Sequence, residues 1–179
     1  MEATLSPSQN QITAVTAEEL CRMYAPSVCR FAALTARSAA DADDLAQDAL
    51  LRAVRSLRSF DPGRGSLEGW LWRIVANAAR DSARRRQRAR DLIASLSFAA
   101  PRETESVEDA VLERLRDAEL HDRMRLLPQR DRTLLALRYG VGLDTDEVGA
   151  AIGLNADSAG KAIRRALRRL RALLEESRP

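Results

Sequence analysis

Two tryptophans, an asparagine and a dense run of arginines fall within one stretch, Phe60 to Arg90, FDPGRGSLEGWLWRIVANAARDSARRRQRAR. One face of the helix it spells carries Trp72, Arg73, Asn77 and Arg80, and the run ends in Arg84, Arg85, Arg86, Arg88 and Arg90. Aromatic rings, an amide and guanidiniums on one rigid surface suit stacked bases and phosphates. Little else in the chain offers reactive chemistry. There is one histidine, His121, and there are two cysteines, Cys21 and Cys29. Eight residues of helix would hold those cysteines about 12 Å apart, too far for a disulfide, and both are expected to be buried as small apolar residues. Neither zinc-ligand spacing, nor a glycine-rich phosphate loop, nor a Ser/His/Asp set is present. The expectation is a binding protein rather than an enzyme, with no metal and no cofactor.

Several elements must position those side chains. Asp61-Pro62-Gly63-Arg64-Gly65 is a turn-forming loop, and Ser66 stands where a helix cap belongs. Leu67, Trp70, Leu71, Ile74, Val75 and Ala78 then recur at helical spacing and define a buried face. Upstream, Thr16 and Glu19 form a capping box ahead of a stripe of Leu20, Met23, Tyr24, Val28, Phe31 and Leu34, with Pro26 expected to kink or split the segment. A second helix is expected over Asp41–Leu57, with Asp41, Asp43 and Asp44 in its favourably charged first turn. Asp44, Gln47 and Asp48 form an acidic ridge on it, either a solvated face or a docking surface for a basic partner.

The second half has its own pattern. Leu127-Pro128 opens a helix with Leu134, Leu135, Leu137 and Tyr139 on its apolar face, ended by Gly140 and Gly142. Asp144 and Glu147 make another capping box. Gly153-Leu154-Asn155 is a tight turn, with Asn155 the cap of the last helix. There Ile163, Leu167, Leu170 and Leu174 form the buried face, and Lys161, Arg164, Arg165, Arg168, Arg169 and Arg171 form the basic one. Two short helices joined by a glycine turn, the second basic, fit a helix-turn-helix, with Gly149 letting the pair cross closely.

Composition agrees. The chain has 179 residues, 45% hydrophobic and 4% aromatic, and Lys161 is its one lysine. Such a mixture favours helices. Arginine's planar fork suits phosphate and guanine. The formal charge is +3, but it is layered. Residues 1–90 hold 14 Arg against 10 acids, 91–119 hold 3 against 8, and 120–179 hold 12 basic residues against 8. The expected fold is all-α, with two small helical domains joined by an acidic linker: a flexible N-terminus over 1–15, domains over 16–90 and 120–179, and the linker over 91–119. Ser106 to Asp109 would cap a short helix running to Arg125. No apolar run is long enough to span a membrane and no signal pattern opens the chain, so a cytoplasmic location is expected.

Taken together, DADDLAQDALLRAVRSL, FDPGRGSLEGWLWRIVANAARDSARRR and LPQRDRTLLALRYGVGLDTDEVGAAIGLNADSAGKAIRRALRRL resemble bacterial sigma factors of the extracytoplasmic-function (ECF) group. The resemblance covers roughly residues 17–175. It implies a dissociable subunit that binds core RNA polymerase and directs promoter recognition, DNA melting and transcription initiation. It implies that Asp43, Asp44, Gln47 and Asp48 dock on the clamp of the largest polymerase subunit. Phe60 and the loop to Ser66 match the loop that takes a flipped base of the minus-ten element. Trp70, Arg73 and Asn77 match the helix that reads and melts that element, and Arg64, Trp72, Arg80, Arg84 and Arg85 join them as expected contacts. Asn155, Asp157, Ser158, Lys161, Arg164, Arg165 and Arg168 would face the minus-thirty-five element. An anti-sigma factor is an expected partner.

The last helix departs from the family in having Ala159, Gly160 and Ala162 where a β-branched and basic residues are usual. Gly160 costs about 1 kcal/mol relative to alanine inside a helix. The alternative is a helix-turn-helix repressor or activator that works without polymerase. It would leave WLWRIVAN and the acidic ridge without a role.

Overall fold

The computed structural model describes residues 15–96 and 113–176, and among these every extended element is a helix. Helix α1 spans Ala17–Thr35 and opens on the expected capping box, Thr16 with Glu19. Pro26 does not split it. Pro26 is exposed, so the carbonyl that loses its amide partner can be met by water. Helix α2 spans Ala39–Ser56 and starts earlier than the acidic run implied, because Ser38 Oγ accepts from the Asp41 amide at 3.1 Å. Helix α3 spans Leu67–Leu96, with Ser66 Oγ accepting from the Gly69 amide at 3.1 Å. It thus continues past Arg90, where the linker was expected to begin. The acidic residues Glu103, Glu105, Glu108 and Asp109, and the cap expected at Ser106, lie outside the described residues.

Then follow α4 (Glu113–Leu126), α5 (Gln129–Leu135), one π-helical turn (Ala136–Val141), α6 (Thr145–Ile152) and α7 (Ala156–Glu175). Gly140 lies inside the π turn, and the turn closes at Gly142, whose φ of 97° is left-handed. Tyr139 is exposed rather than part of the apolar face.

Helix α3 is central. It packs against α1 and α2 on one side and α5 and α6 on the other. The expected face supplies buried Leu71, Val75 and Ala78, and a second stripe, Trp72, Ala76 and Ala79, is buried as well. Trp72 is only 1% exposed and meets Phe31 with ring centroids 5.9 Å apart. It is therefore a core residue in this structure, not the nucleic-acid contact expected from the sequence. The reason is geometric: a helix covered from two sides needs more than one apolar stripe. One continuous cluster runs from Leu20, Phe31 and Leu45 through Val75 to Leu134, Leu137, Val148 and Ile163, so the two halves share a core. A smaller cluster of Met124, Leu127, Leu135, Ala166 and Leu170 joins α4, α5 and α7. Both cysteines are free; Cys29 is exposed and Cys21 half-buried, against the expectation of burial.

The α6–α7 pair has the expected caps, Asp144 with Glu147 and Asn155 with the Ser158 amide, and Gly153 turns between them at φ 75°. Gly149 is required by close approach, since a Cβ there would sit 2.7 Å from the Leu154 carbonyl oxygen. At Gly160 a Cβ would meet Arg164 Nη1 at 3.5 Å and Thr145 Cγ2 at 3.6 Å, ordinary contacts. Opposite outcomes are expected in thermal or urea unfolding. Gly149→Ala should destabilise by about 1–3 kcal/mol through overpacking against rigid backbone. Gly160→Ala should stabilise by up to about 1 kcal/mol. Trp72→Ala should cost about 3–5 kcal/mol by opening a core cavity.

Candidate nucleic-acid interface

The loop before α3 is shaped by its own polar atoms. Asp61 Oδ1 accepts from the Gly63 amide at 2.9 Å, and the Arg64 amide donates to the Asp61 carbonyl at 3.0 Å. Gly65 then takes φ 144°, a region that favours glycine. This turn sets Phe60 against Trp70, with ring centroids 5.5 Å apart and planes tilted by 54°. The two rings stand in a cavity of about 440 Å³, which Asp61, Arg64, Arg73 and Ala150 also line. Its size is that of a small-ligand pocket. Half-buried aromatic walls with exposed Arg64 and Arg73 beside them can take a flat ring and meet the phosphates attached to it.

Arg73, Asn77, Arg80 and Arg84 are all exposed and follow i, i+4, i+7 and i+11 along α3. At about 100° per residue they form one narrow strip, with Trp70 at its edge. Arg80 donates to Asn77 Oδ1 at 3.2 Å, which holds the amide in place on this strip. Trp72 lies about 100° away from Arg73 and points into the core.

The acidic ridge is smaller than expected. Asp43, Asp44 and Gln47 are exposed on α2. Asp48 is half-buried and committed: Arg52 donates to it from Nε and Nη2, both at 2.9 Å, and Arg85 Nη2 donates at 3.3 Å. Arg52 Nη1 also reaches Asp81 at 2.8 Å. Burial pushes the Asp48 carboxyl up, but the hydrogen bonds and charges of Arg52 and Arg85 outweigh it and hold it below the usual carboxylate range. Arg85, expected to face DNA, thus braces α3 against α2 although it remains largely exposed.

On α7, Lys161, Arg164, Arg165 and Arg168 are exposed and face away from the buried Ala159, Ala162, Ile163 and Ala166. Lys161 pairs with Asp157 at 2.7 Å. Asn155 Oδ1 is occupied as the cap, accepting from the Ser158 amide at 2.8 Å. Arg169 stays exposed but reaches the buried Asp131 at 2.5 Å.

Two residues that the fold singles out carried no functional expectation. Ala150 on α6 forms part of the cavity wall. Arg132 on α5 is 1% exposed. Burial, with the nearby charges of Arg37 and Arg86, pushes its guanidinium down to about 10, so it stays charged at neutral pH. Nothing in LPQRDRTLL marks that arginine as different from its neighbours.

The geometry can be set beside known proteins. Residues 20–89 match the sigma-70 region 2 family, and residues 117–170 match sigma-70 region 4. The chain is similar to the ECF RNA polymerase sigma factor SigE of Mycolicibacterium smegmatis, 32% identical over 158 residues, which are 88% of this chain and 61% of that relative. The chain therefore spans about three fifths of that protein's length. It is also similar to the ECF RNA polymerase sigma factor EcfG of Rhodopseudomonas palustris, 33% identical over 149 residues, 83% of this chain and 80% of the relative. Among solved structures, CnrH in complex with the cytosolic domain of CnrY superposes with a TM-score of 0.66 at 25% identity, covering 90% of this chain and 89% of that one. Both halves of the fold, in this order and with these matches, place the chain in the ECF group of RNA polymerase sigma factors.

Proposed function

We propose that this sigma factor divides initiation among three surfaces: the exposed ridge of α2 for the polymerase, the cavity and strip of α3 for melted minus-ten DNA, and the basic face of α7 for minus-thirty-five duplex. The observation that carries this reading is the Phe60–Trp70 cavity opening beside the Arg73–Asn77–Arg80 strip.

Extruding a base costs a few kcal/mol, and stacking on an aromatic side chain returns about 1–3 kcal/mol. Trp70 and Phe60 supply the stack, Asn77 an edge contact, and Arg64, Arg73, Arg80 and Arg84 the phosphate contacts. Duplex reading needs a narrow basic helix in the major groove, and Arg164, Arg165 and Arg168 are exposed for it. Asp43, Asp44 and Gln47 offer negative charge and an amide to a basic helical partner on the polymerase clamp. Bound to polymerase, the protein acts in the cytoplasm; among the described residues no helix is long and apolar enough to cross a membrane. CnrH has been captured with the cytosolic domain of CnrY, and an anti-sigma factor of that kind is the proposed inhibitory partner. A regulator acting without polymerase would leave the cavity and the α2 ridge unused.

Run-off transcription with purified core polymerase on a promoter library tests the whole reading; no transcript from any template would overturn it. Trp70→Ala and Asn77→Ala should lower open-complex formation, Trp70→Ala by roughly five- to a hundredfold if one stacked base is lost, while leaving core affinity unchanged. Asp43→Arg with Asp44→Arg should lower core affinity with helix content and unfolding temperature retained. The reverse ranking would count against the assigned roles.

A further inference from the structure

One patch of this chain is rich in hydrogen-bond donors and short of acceptors. It lies where α1 ends and α2 begins, beside α3 and α5. Arg132 of α5 donates from Nε to the carbonyl of Thr35, the last residue of α1, at 3.1 Å. Its other partners are the Arg125 and Leu127 carbonyls and the Gln129 side chain. All four acceptors are neutral oxygens, so no carboxylate meets the charge of this buried guanidinium. Arg37 follows Thr35 by two residues, in the bend between α1 and α2. Arg86 and Arg90 stand about one turn apart on α3. Partial burial, then the charges of Arg90 and Arg86, push the Arg37 guanidinium below its usual range. Arg37 and Arg86 act on Arg132 in the same sense. Four like charges thus share one electrostatic group.

Asp41, in the first turn of α2, is the one carboxylate paired with any of them among the described residues. It lies 2.8 Å from Arg86 Nη1, yet that buried nitrogen has no hydrogen bond there, so the pair is ionic without being aligned. Gln129 Nε2 is a second buried donor with no partner among the described residues, and its amide oxygen is already held by Arg132. Buried donors are nearly always satisfied, and an unmet one is costly. The N-terminus of α2, capped by Ser38, adds the positive end of its dipole. Four positive charges against one negative leave a surplus of three. Arg86 and Arg90 lie about 200° and 240° round α3 from Arg84, away from the strip proposed for melted DNA. The patch therefore rests on none of the three surfaces assigned above.

We propose that this patch binds a small anion carrying a diphosphate group, clasped by Arg37 and Arg90 at its mouth and met by Arg86 and Gln129 at its base. A diphosphate carries about three negative charges at neutral pH, which matches the surplus, and its oxygens supply the acceptors that the orphaned donors lack. Arginine's planar fork meets phosphate oxygens two at a time. Binding stabilises the folded chain in proportion to ligand concentration over the dissociation constant.

Calorimetric titration of the full chain with inorganic pyrophosphate, ADP and sulfate at fixed ionic strength tests this. Pyrophosphate should bind saturably at one site and raise the unfolding temperature, with sulfate roughly tenfold weaker or more. ADP binding more tightly than pyrophosphate would support the site and identify a nucleotide as the source of the group; the reverse order would support it and identify the inorganic anion. Arg37→Gln and Arg90→Gln change exposed side chains that make no hydrogen bond or ion pair among the described residues. Each should weaken pyrophosphate binding roughly tenfold at unchanged helix content. Asp41→Asn should tighten it severalfold, because a competing carboxylate is removed. Arg22→Gln, near the opposite end of α1, should bind as the wild type does. The site is overturned if neither pyrophosphate nor ADP binds saturably, if Arg22→Gln loses as much affinity as Arg37→Gln, or if Asp41→Asn binds more weakly with its helix content intact. A short DNA duplex weakened by Arg37→Gln as much as pyrophosphate is would place the patch on a DNA path and overturn the small-anion site as well.

Discussion

Helix α3 has to be buried on two sides and legible on a third, and this constraint shapes the rest of the molecule. Leu71, Val75 and Ala78 face one set of neighbours, while Trp72, Ala76 and Ala79 form a second buried stripe. Most of the circumference is thereby spent on packing. What remains is a strip one residue wide, Arg73, Asn77, Arg80 and Arg84. A rod fixed in this way presents its polar groups with little loss of freedom on binding, which suits the proposed reading of an unstacked base. The loop before it meets the same need, because Asp61, Gly63 and Gly65 fix the turn that delivers Phe60 to Trp70.

Charge is allotted by the same logic. Asp48, Arg52, Asp81 and Arg85 neutralise one another between α2 and α3. These pairs are part-exposed, so they set register more than they add stability. Arg86 pairs with Asp41 at 2.8 Å in the same seam, and Arg169 with the buried Asp131. Most of the arginines left over on α3 and α7 lie on the outward strips, and the acids left over on α2 lie on the ridge. A chain of formal charge +3 thus shows basic and acidic surfaces at separate places, a separation that fits the proposed division between nucleic acid and a basic protein partner.

Much of this was legible because local signals were strong. Thr16 with Glu19, Ser66, Asp144 with Glu147, and Asn155 announced helix starts, and each cap is made. The helix-turn-helix could be read from Gly149 and Gly153 for the same reason. Trp72 was misplaced because an aromatic next to Arg73, one turn from Asn77, looks like a reader of bases; its spacing to Ala76 and Ala79 was the available sign of burial, four and seven residues on. The split that Pro26 allowed does not occur, because a proline's cost depends on whether its neighbours face water, which only the fold decides. Asp48 and Arg85 are 37 residues apart, and Arg132 and Thr35 are 97 apart. No periodicity in a single sequence encodes contacts of that range. They come from how the halves close.

The choice of acceptors around Arg132 is itself informative. A buried arginine paired with a carboxylate would leave a second uncompensated charge when the halves part, and breaking such a pair costs about 3–5 kcal/mol. Here the partner in the other half is the end of α1, the neutral Thr35 carbonyl. The guanidinium keeps the carbonyls of Arg125 and Leu127 and the side chain of Gln129, all from its own half. Only one of its hydrogen bonds crosses between the halves, and such a bond is worth about 0.5–1.5 kcal/mol, somewhat more for a charged donor. The apolar seat of Leu34 on Gly140 adds contact without adding polar groups that would need new partners. That hydrogen bond and the seat are part of a larger closure: one buried cluster runs from Phe31 and Val75 to Leu134, Leu137 and Val148, so apolar burial holds the halves together and the Arg132 contact fixes their register.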